Sequence, residues 1–355
     1  MALKHLELFS GIGGFRKAFE LIEKDFNLKI KTVGFSEIDT YASKVYKANF
    51  DTTHEIEMGD IVSFVNDISK LKKLSNFDVL SGGFPCQSFS LMGKKKGFND
   101  VRGNVFFQII KVIKEKKPKY ILLENVRNLR THDKGNTFQT ILAFLKDAGY
   151  PYIYHDIFNS ADFGLAQRRN RVFIFATNIQ PPKNFIFNSE KIKKSFLELG
   201  DSHSLLKHSS VLDVLEKEVD KKFFISSILK PTILSNGTKN FKSKSEINPL
   251  IARPLTATMV KMHRACQDNY YSQEFILNPQ DYMKKNYTKE DLLNQSIRKI
   301  TPKEAFLFQG FEETFFKNAQ NSGVSNHQLY KQAGNAVSVN TVYAILYYLF
   351  IKSGL

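Results

Sequence analysis

The stretch Leu3-Lys4-His5-Leu6-Glu7-Leu8-Phe9-Ser10-Gly11-Ile12-Gly13-Gly14-Phe15 decides the fold class of this chain. Its apolar run ends in a glycine turn, and Phe15 to Lys24 continues with a helical pattern, so a strand, a turn and a helix are predicted. Short apolar strands alternate with helical patterns in the same way up to about residue 180. This alternation is typical of an α/β fold with a parallel sheet. The glycine turn lets a ligand approach the start of the helix, but a plain tight turn fits it equally well.

The alternation predicts six strands and four helices in the first half of the chain. The strands are Leu3 to Phe9, Lys31 to Phe35, Phe77 to Ser81, Tyr120 to Glu124, Tyr152 to Ile157 and Val172 to Ala176. The helices are Phe15 to Lys24, Tyr41 to Ala48, Val105 to Lys116 and Thr137 to Asp147. An apolar helix at the C-terminus must pack on something large, which predicts that it returns to the first domain.

A change in pattern at Pro181-Pro182 divides the chain. We expect a first domain over residues 1–182, completed by a C-terminal helix at 332–355. Residues 183–296 are rich in lysine and serine with irregular periodicity, which predicts a separate module. Residues 297–331 form the connecting segment.

The composition limits the class of partner. The 355 residues are 42% hydrophobic, and 51 Lys and Arg against 35 Asp and Glu give a net charge of +16. Such an excess indicates a polyanionic partner, nucleic acid rather than an acidic membrane. The two cysteines, Cys86 and Cys266, have no metal-ligand spacing, so neither a disulfide framework nor a metal site is expected.

The ends of the chain carry no membrane signal. The first residues run straight into a strand without a secretory pattern. The apolar run from Val342 to Ile351 is shorter than the roughly 20 residues that a bilayer span needs. We therefore expect a cytoplasmic protein.

Cys86 lies in Gly82-Gly83-Phe84-Pro85-Cys86-Gln87, directly after a predicted strand. A thiol on a turn at the carboxyl edge of a parallel sheet can ionise readily and act as a nucleophile. A lone cysteine is nevertheless more often a small buried apolar residue.

Two acids, Glu37 and Glu124, stand at the ends of predicted strands, and a third, Asp60, stands in Gly59-Asp60-Ile61. Glu37 can accept two ribose hydroxyls, and Asp60 can accept an adenine amine. Glu124, in Glu124-Asn125-Val126, can be a proton donor if its cleft raises its pKa. Each of these acids, taken alone, is more often a helix cap or a solvated charge.

Two arginines stand in Gln167-Arg168-Arg169-Asn170-Arg171 at the start of a strand. Strand alternation predicts that Arg169 and Arg171 lie on one face, with both guanidinium groups pointing together. A basic run is usually a solvated face, so this signal is ambiguous by itself.

Taken in order, these motifs resemble those of bacterial DNA (cytosine-5) methyltransferases of the restriction–modification type. The series is Phe-x-Gly-x-Gly-Gly-Phe, Pro-Cys-Gln, Glu-Asn-Val, Gln-x-Arg-x-Arg and Gly334-Asn335-Ala336-Val337-Ser338-Val339. The resemblance implies a Rossmann-like methyltransferase sheet with helices on both faces and a smaller irregular target-recognition domain at 183–296. It also implies methyl transfer from S-adenosylmethionine to C5 of a cytosine flipped out of double-stranded DNA.

The resemblance assigns a role to each catalytic candidate. Cys86 matches the nucleophile that attacks cytosine C6, and Glu124 matches the residue that binds N3 and the exocyclic amine. Arg169 matches the arginine directed at O2, while Arg171 orders the site. The implied cofactor pocket contains Phe9, Gly11, Ile12, Gly14, Glu37, Ile38, Asp60, Ile61, Pro85, Asn335 and Val337.

The DNA contacts are expected in two places. Residues 88–104 fit a mobile lid with contacts from Ser88, Ser90, Lys94, Lys95, Lys96 and Arg102, although a solvated basic loop also fits. Arg253 to Thr258 resembles the family's Thr-Leu recognition element, with Pro254 where threonine is usual. Further candidates in this module are Arg253, Thr256, Lys261, His263, Arg264, Gln267 and Asn269, side chains suited to groove contacts.

Two other functions compete with this interpretation. A tRNA cytosine-5 methyltransferase would share the motifs, but the Cys-Phe-Thr element usual in those relatives is absent from the sequence. A silent DNA-binding regulator would need none of the catalytic residues. We expect a monomer, because the clamp on DNA is asymmetric, and any cognate restriction endonuclease would act as a separate protein.

Overall fold

The computed structural model describes residues 2–85, 105–237 and 243–355. The chain forms two compact units. Unit 1 consists of Met1–Asn159, Asn170–Leu205 and Val337–Leu355, and unit 2 consists of Ser160–Arg169 and Leu206–Ala336.

Unit 1 is built on a sheet whose strand order is β3-β2-β1-β4-β5-β7-β6. The strands are β1 (Leu3–Leu8), β2 (Ile30–Ser36), β3 (Ile56–Glu57), β4 (Val79–Gly83), β5 (Tyr120–Val126), β6 (Tyr152–Asn159) and β7 (Asn170–Thr177). The six predicted strands are present, and the sequence analysis missed only the two-residue β3 among these seven.

The direction of β7 differs from the expected parallel sheet. Strands β1, β2, β3, β4 and β5 pair in parallel, whereas β7 is antiparallel to both β5 and β6. Parallel neighbours need a crossover of about a dozen residues or more, usually through a helix. The connection at 160–169 is too short for that, so the chain must reverse.

Helices cover both faces of the sheet. They are α1 (Gly14–Phe26), α2 (Thr40–Asn49), α3 (Ile61–Asn66), α4 (Ile68–Lys73), α5 (Val105–Lys116), α6 (Asn136–Asp147), α7 (Ser189–Leu199) and α15 (Val339–Tyr347). Leu6, Leu80 and Ile121 belong to one apolar core with residues of α3, α5 and α6. On the other face α1 packs against α15. The Rossmann-like fold class is confirmed.

Helix α15 is buried along its whole length and continues as a π turn at Tyr348–Lys352. By length and composition alone Asn326–Lys352 could cross a membrane, but 83% of its most apolar window is buried inside the fold. The Tyr343 hydroxyl donates to Asp25 Oδ2 over 2.7 Å, which fixes α15 to the end of α1. Its apolarity is therefore accounted for by packing in unit 1.

The unit boundaries differ from the expected domain limits. Residues 183–205, expected in the recognition module, belong to unit 1, because α7 buries Ile192 and Phe196 and packs against α15. The expected connecting segment 297–331 lies within unit 2. Residues 332–336, expected with the C-terminal helix, also belong to unit 2.

Unit 2 has short elements around a small apolar core. They are β8 (Tyr270–Ser272), β9 (Ile297–Lys299), α8 (Lys230–Ile233), α9 (Gln273–Leu277), α10 (Pro279–Met283), α11 (Lys289–Asn294), α12 (Pro302–Phe308), α13 (Glu313–Asn321) and α14 (Asn326–Asn335). Arg298 on β9 and Glu304 on α12 form a fully buried bidentate ion pair with bonds of 3.0 and 2.7 Å. This pair connects β9 to α12. Removing either partner would leave an unpaired buried charge and destabilise the fold.

A buried carboxyl lies beneath the glycine turn. Glu7 on β1 is fully buried, and the Tyr46 hydroxyl donates to its Oε2 over 3.2 Å. Burial raises the pKa of Glu7 from 4.5 to about 8. The folded state therefore holds this proton more tightly than the unfolded state, and ionisation of Glu7 destabilises the fold.

We predict that Glu7→Gln removes a pH dependence of stability. In the wild type the free energy of unfolding should fall between pH 4.5 and about 8, where the native state holds a proton that the unfolded state releases. The slope from one such group is at most about 1.4 kcal/mol per pH unit. Urea unfolding at pH 5, 6.5 and 8 measures it, with the exposed-site variant Glu218→Gln as control. An unchanged slope in Glu7→Gln would contradict the prediction.

Candidate active site

The glycine turn between β1 and α1 has left-handed residues at alternate positions. Phe9 has φ 53°, Gly11 φ 55° and Gly13 φ 89°. A phenylalanine in this region is strained, and such strain is typical of functional sites. The Gly11 N–H donates to Glu37 Oε2 over 2.8 Å, so the turn is tied to the end of β2.

Glu37 stands one residue after β2, as the sequence predicts. Its second oxygen, Oε1, accepts from the Asp39 N–H over 2.7 Å, and burial raises its pKa. The neighbouring Ile38 is 73% exposed and Tyr41 is 50% exposed. A fixed carboxylate beside exposed apolar side chains suits a ligand with hydroxyl groups and a flat ring, as in a nucleoside.

The turn packs directly on the segment that follows α14. A Cβ added at Gly14 would lie 2.6 Å from Val337 Cγ1 and 2.7 Å from the Val337 carbonyl oxygen. Gly14 is therefore required for close approach of the two segments. Two predicted cofactor residues, Gly14 and Val337, are brought together in unit 1, whereas Asn335 is exposed at the end of α14 in unit 2.

Three predicted cofactor residues, Asp60, Ile12 and Ile61, also contribute to the fold. The Asp60 carboxylate caps α3, accepting from the Val62 and Ser63 N–H groups, and its bond from the Ser63 hydroxyl lowers its pKa. Ile12 and Ile61 are only 1% and 3% exposed, so their side chains belong to the core.

The strand ends β4 and β5 bring the catalytic candidates to one edge. Gly83 is paired with Glu124, and a Cβ at Gly83 would lie 3.1 Å from Glu124 Oε2. The Asn125 amide donates to the Phe84 carbonyl over 2.7 Å, which fixes the backbone just before exposed Pro85. Cys86, which follows Pro85, lies outside the described residues.

Glu124 forms an ion pair with Arg171. Arg171 Nε lies 2.9 Å from Glu124 Oε1, and both side chains are largely buried. Arg171 is registered with Val126 across β5 and β7, which makes it a diagonal neighbour of Glu124 on one sheet face. The carboxylate therefore has a fixed orientation, with its Oε2 directed towards Gly83.

Arg169 has a different environment from Arg171. It is 2% exposed, and its guanidinium donates to the carbonyls of Leu255, Gly334 and Ala336 over 2.8 to 2.9 Å. The expectation that both arginines point together is not met, because Arg169 precedes β7 and is held by unit 2. In this structure Arg171 is the arginine beside Glu124.

Comparisons with known proteins identify the family of this chain. The family model of C-5 cytosine-specific DNA methylases matches residues 3–350. The chain belongs to this family. The Type II methyltransferase M1.ScrFI of Lactococcus lactis subsp. cremoris is 38% identical over 345 residues, covering 96% of this chain and 76% of the relative. The Type II methyltransferase M.HaeII of Haemophilus aegyptius is 36% identical, covering 96% and 91%.

Solved structures match the fold of this methylase. The Entamoeba histolytica methyltransferase EhMeth has a TM-score of 0.70 at 24% identity, covering 99% of this chain and 98% of the other. The S. pombe Dnmt2 methyltransferase has a TM-score of 0.69 at 20% identity, with 98% of each chain covered. At these identities the likeness shows the fold alone.

Family membership confirms the predicted enzyme class. The methylase transfers a methyl group from S-adenosylmethionine to C5 of cytosine in DNA. The Glu37 carboxylate, the exposed Ile38 and the left-handed turn fit the ribose and adenine of this cofactor. In the part of the chain that the structure describes, no group of three or more His, Cys, Asp or Glu side chains could hold a metal ion.

The recognition candidates of the methylase divide by exposure. Thr256, Lys261 and Gln267 are exposed, whereas Asn269 is 6% exposed and bonds both the N–H and the carbonyl of Arg253. The remaining candidates are held by neighbours: Arg253 lies 3.8 Å from Glu246, His263 3.4 Å from Asp268, and Arg264 bonds Ser235. Ser88, Ser90, Lys94, Lys95, Lys96 and Arg102 lie outside the described residues.

Asn125 and Gln167 belong to the predicted motifs of the methylase, but the sequence predicts no role for either residue. Asn125 fixes the Phe84 carbonyl, and Gln167 accepts from the Leu255 N–H over 2.9 Å and donates to the Phe308 carbonyl. Both are amide side chains within two residues of a charged candidate of the same motif. This proximity is the sequence signal that could have indicated a hydrogen bond to the backbone.

Proposed function

We propose that this methylase modifies one cytosine within a specific double-stranded DNA sequence through a covalent bond between Cys86 Sγ and cytosine C6. The observation that supports the proposal is the Glu124–Arg171 ion pair at the carboxyl edge of the sheet. Glu124 on β5 is paired with Gly83 at the end of β4, and Pro85-Cys86 follow shortly after β4 in the sequence. The Type II methyltransferase names of its relatives support a role as the modification enzyme of a restriction–modification system.

The mechanism begins at Cys86 because cytosine C5 is a poor nucleophile. The thiolate adds to C6, the C5–C6 π electrons form a C4–C5 double bond, and N3 takes a proton from the Glu124 carboxyl. Glu124 binds N3 and the exocyclic amine and stabilises that protonated state. S-adenosylmethionine supplies an electrophilic methyl group. After C5 is methylated and S-adenosylhomocysteine is left, N3 returns its proton to Glu124, the C5 proton leaves to a base, and elimination of the thiolate restores the C5–C6 double bond.

In this proposal Arg169 and Arg171 have roles that differ from those implied by the motif resemblance. Arg171 orients Glu124 and is placed to meet the cytosine O2, because it is the arginine on the Glu124 face of the sheet. Arg169 instead holds three backbone carbonyls of unit 2 and acts as a positioning residue. This exchanges the roles that the motif resemblance implied.

Lysine substitutions separate these roles. Arg171→Lys keeps the charge but loses the guanidinium geometry, so the methylation rate should fall about 10²-fold. Its free energy of unfolding should change less than that of Arg169→Lys, because the lysine keeps a positive charge beside Glu124. Arg169→Lys leaves two buried carbonyls without a donor and should lower that free energy by about 2–4 kcal/mol. Urea unfolding and initial rates measure both, and the opposite pattern would restore the initial assignment.

The cofactor would be held by unit 1. Glu37 is placed to accept the ribose hydroxyls, Ile38 to pack on the adenine, and the aromatic Phe9 to face the sulfonium cation. Pro85 lies beside the path of the methyl group. Asp60 would contribute through the second lone pair of Oδ1, because Oδ2 already accepts both the N–H and the hydroxyl of Ser63.

DNA recognition belongs to the module expected at 183–296, and within it to residues of unit 2. The exposed Thr256, Lys261 and Gln267 have side chains suited to the major groove, and Thr256 approaches Gly334 so closely that a Cβ there would clash. The base must leave the duplex before Cys86 can reach C6, which costs a few kcal/mol. We infer a cytoplasmic monomer, with any cognate endonuclease acting separately.

The deciding experiment incubates the purified chain with S-adenosylmethionine and either unmethylated genomic DNA or tRNA. Nucleosides from each are then quantified by mass spectrometry. We expect 5-methylcytosine in DNA only, after which bisulfite sequencing maps the recognition site. Methylation confined to tRNA, or DNA binding without methylation, would overturn the proposed function.

A further inference from the structure

The edge of the sheet opposite the catalytic residues carries a group of lysines. Strands β1, β2, β4 and β5 run parallel, so their amino ends lie together at one edge, away from Glu37 and Glu124. Exposed lysines at or just before these ends form what we call the amino-edge patch: Lys4, Lys29, Lys31, Lys72, Lys73, Lys114, Lys117 and Lys119. All of them belong to unit 1.

The strand ends make one half of the patch continuous. Lys4 is paired in register with Lys31, and the Leu3 N–H donates to the Lys29 carbonyl over 2.8 Å. Asp78 accepts from the Lys4 N–H through Oδ2 and lies 2.9 Å from Lys119 Nζ through Oδ1. Lys119 on the β5 side is therefore linked to Lys4 and Lys31.

The helix ends join the other half to it. Lys116 Nζ, at the end of α5, donates to the Lys72 and Leu74 carbonyls over 3.1 and 2.6 Å. This bond places the last turn of α4, with Lys72 and Lys73, against the segment that carries Lys114 and Lys117. The patch thus extends from β2 across β1, β4 and β5 to α4.

The charge of the patch is strongly one-sided. Segments 2–4, 29–31, 71–78 and 113–120 contain nine lysines and only two acids, Asp78 and Glu115. Among the described residues, Lys72, Lys73, Lys114 and Lys117 form no ion pair. Since Asp78 is already paired with Lys119, most of the positive charge is available to an external anion.

The chemistry of the patch favours a duplex over a protein partner. Protein interfaces are depleted in lysine and enriched in arginine and aromatic residues, and the exposed side chains that define the patch are lysines alone. Lysine acts on phosphate as a point charge without reading sequence. DNA carries one negative charge per about 1.7 Å of duplex axis, which matches an extended basic surface.

The position of the patch requires a second segment of DNA. The seven residues of β5 separate the two edges of the sheet by about 20 Å. A straight duplex held at the catalytic edge therefore cannot also reach the amino edge. We propose that the amino-edge patch binds a second duplex segment without sequence preference, so that the methylase passes between DNA segments while it searches for its target.

The first test counts duplexes bound per chain. Sedimentation of the full chain with excess labelled 20-base-pair duplex at low salt should give two duplexes per chain for the wild type. The patch variant Lys72→Gln/Lys73→Gln/Lys114→Gln/Lys117→Gln should bind one. In the wild type, the second binding event should weaken with salt by a log–log slope of about 0.9 for each phosphate that the patch contacts.

A matched variant controls for total charge. Lys183→Gln/Lys191→Gln/Lys193→Gln/Lys194→Gln removes four exposed lysines of unit 1 outside the patch. It should bind two duplexes like the wild type. One duplex on the wild-type chain, or two on the patch variant, would overturn the proposal, the latter leaving the patch to another polyanion.

The second test uses the reaction itself. Methylation of an intact plasmid is compared with methylation of the same plasmid cut into short fragments. The patch variant should equal the control variant on fragments and be at least threefold slower on the intact plasmid. Equal rates on both substrates would argue against segment transfer. If neither the wild type nor any variant methylates DNA, the proposed function fails. The number of duplexes bound per chain still tests whether the amino-edge patch binds DNA.

Discussion

Cys86→Ser should lower methylation of genomic DNA by at least about 10³-fold, because a hydroxyl at this position is far less nucleophilic than a thiolate. DNA binding, measured by fluorescence anisotropy, should stay within about twofold, since serine removes little binding surface. Quantification of 5-methylcytosine by mass spectrometry gives the rate.

The chain supplies its own control for this experiment. Cys266 is a partly buried free thiol in unit 2, so Cys266→Ser tests whether any cysteine matters. DNA containing 5-fluorocytosine should form a denaturation-resistant complex with the wild type and with Cys266→Ser but not with Cys86→Ser, because fluorine cannot leave as a proton. Methylation retained by Cys86→Ser would remove the covalent mechanism.

Glu124→Gln should lower the methylation rate by about 10²- to 10³-fold, comparable with the loss of one preorganised group at a transition state. The amide keeps the size of Glu124 and one oxygen for Arg171, so the fold should remain intact. It cannot carry the negative charge that stabilises a protonated N3. The exposed-site variant Glu218→Gln should keep the full rate.

The Arg171 contact makes the Glu124 test more specific. If Arg171 acts through Glu124, the double variant Glu124→Gln/Arg171→Lys should be little slower than the slower single variant, because the two residues form one unit. Multiplied losses would indicate independent roles. A full rate in Glu124→Gln would exclude this carboxylate from the chemistry.

Much of unit 1 is predictable because its signals are local. The period of apolar residues gives Val105–Lys116 as a helix, and the structure has α5 with the same bounds. The strand-turn-helix pattern around Gly11 to Gly14 likewise appears where it is predicted. Such patterns are reliable because each depends on neighbouring residues in the chain.

The features that were missed depend on distant parts of the chain. The antiparallel direction of β7 follows from the short connection at 160–169, which periodicity does not report. Arg169 binds carbonyls 86, 165 and 167 residues away, and a backbone carbonyl carries no sequence signal.

The bonds of Arg169 have a consequence for how target specificity changes. All three acceptors are backbone carbonyls, and every residue type offers the same carbonyl. The side chains around Leu255, including exposed Thr256, can therefore be replaced without loosening the attachment of this segment. Arg169 and Gln167 both hold this segment by its backbone, so the side chains of the proposed recognition surface can vary, and DNA specificity with them, while these bonds stay the same.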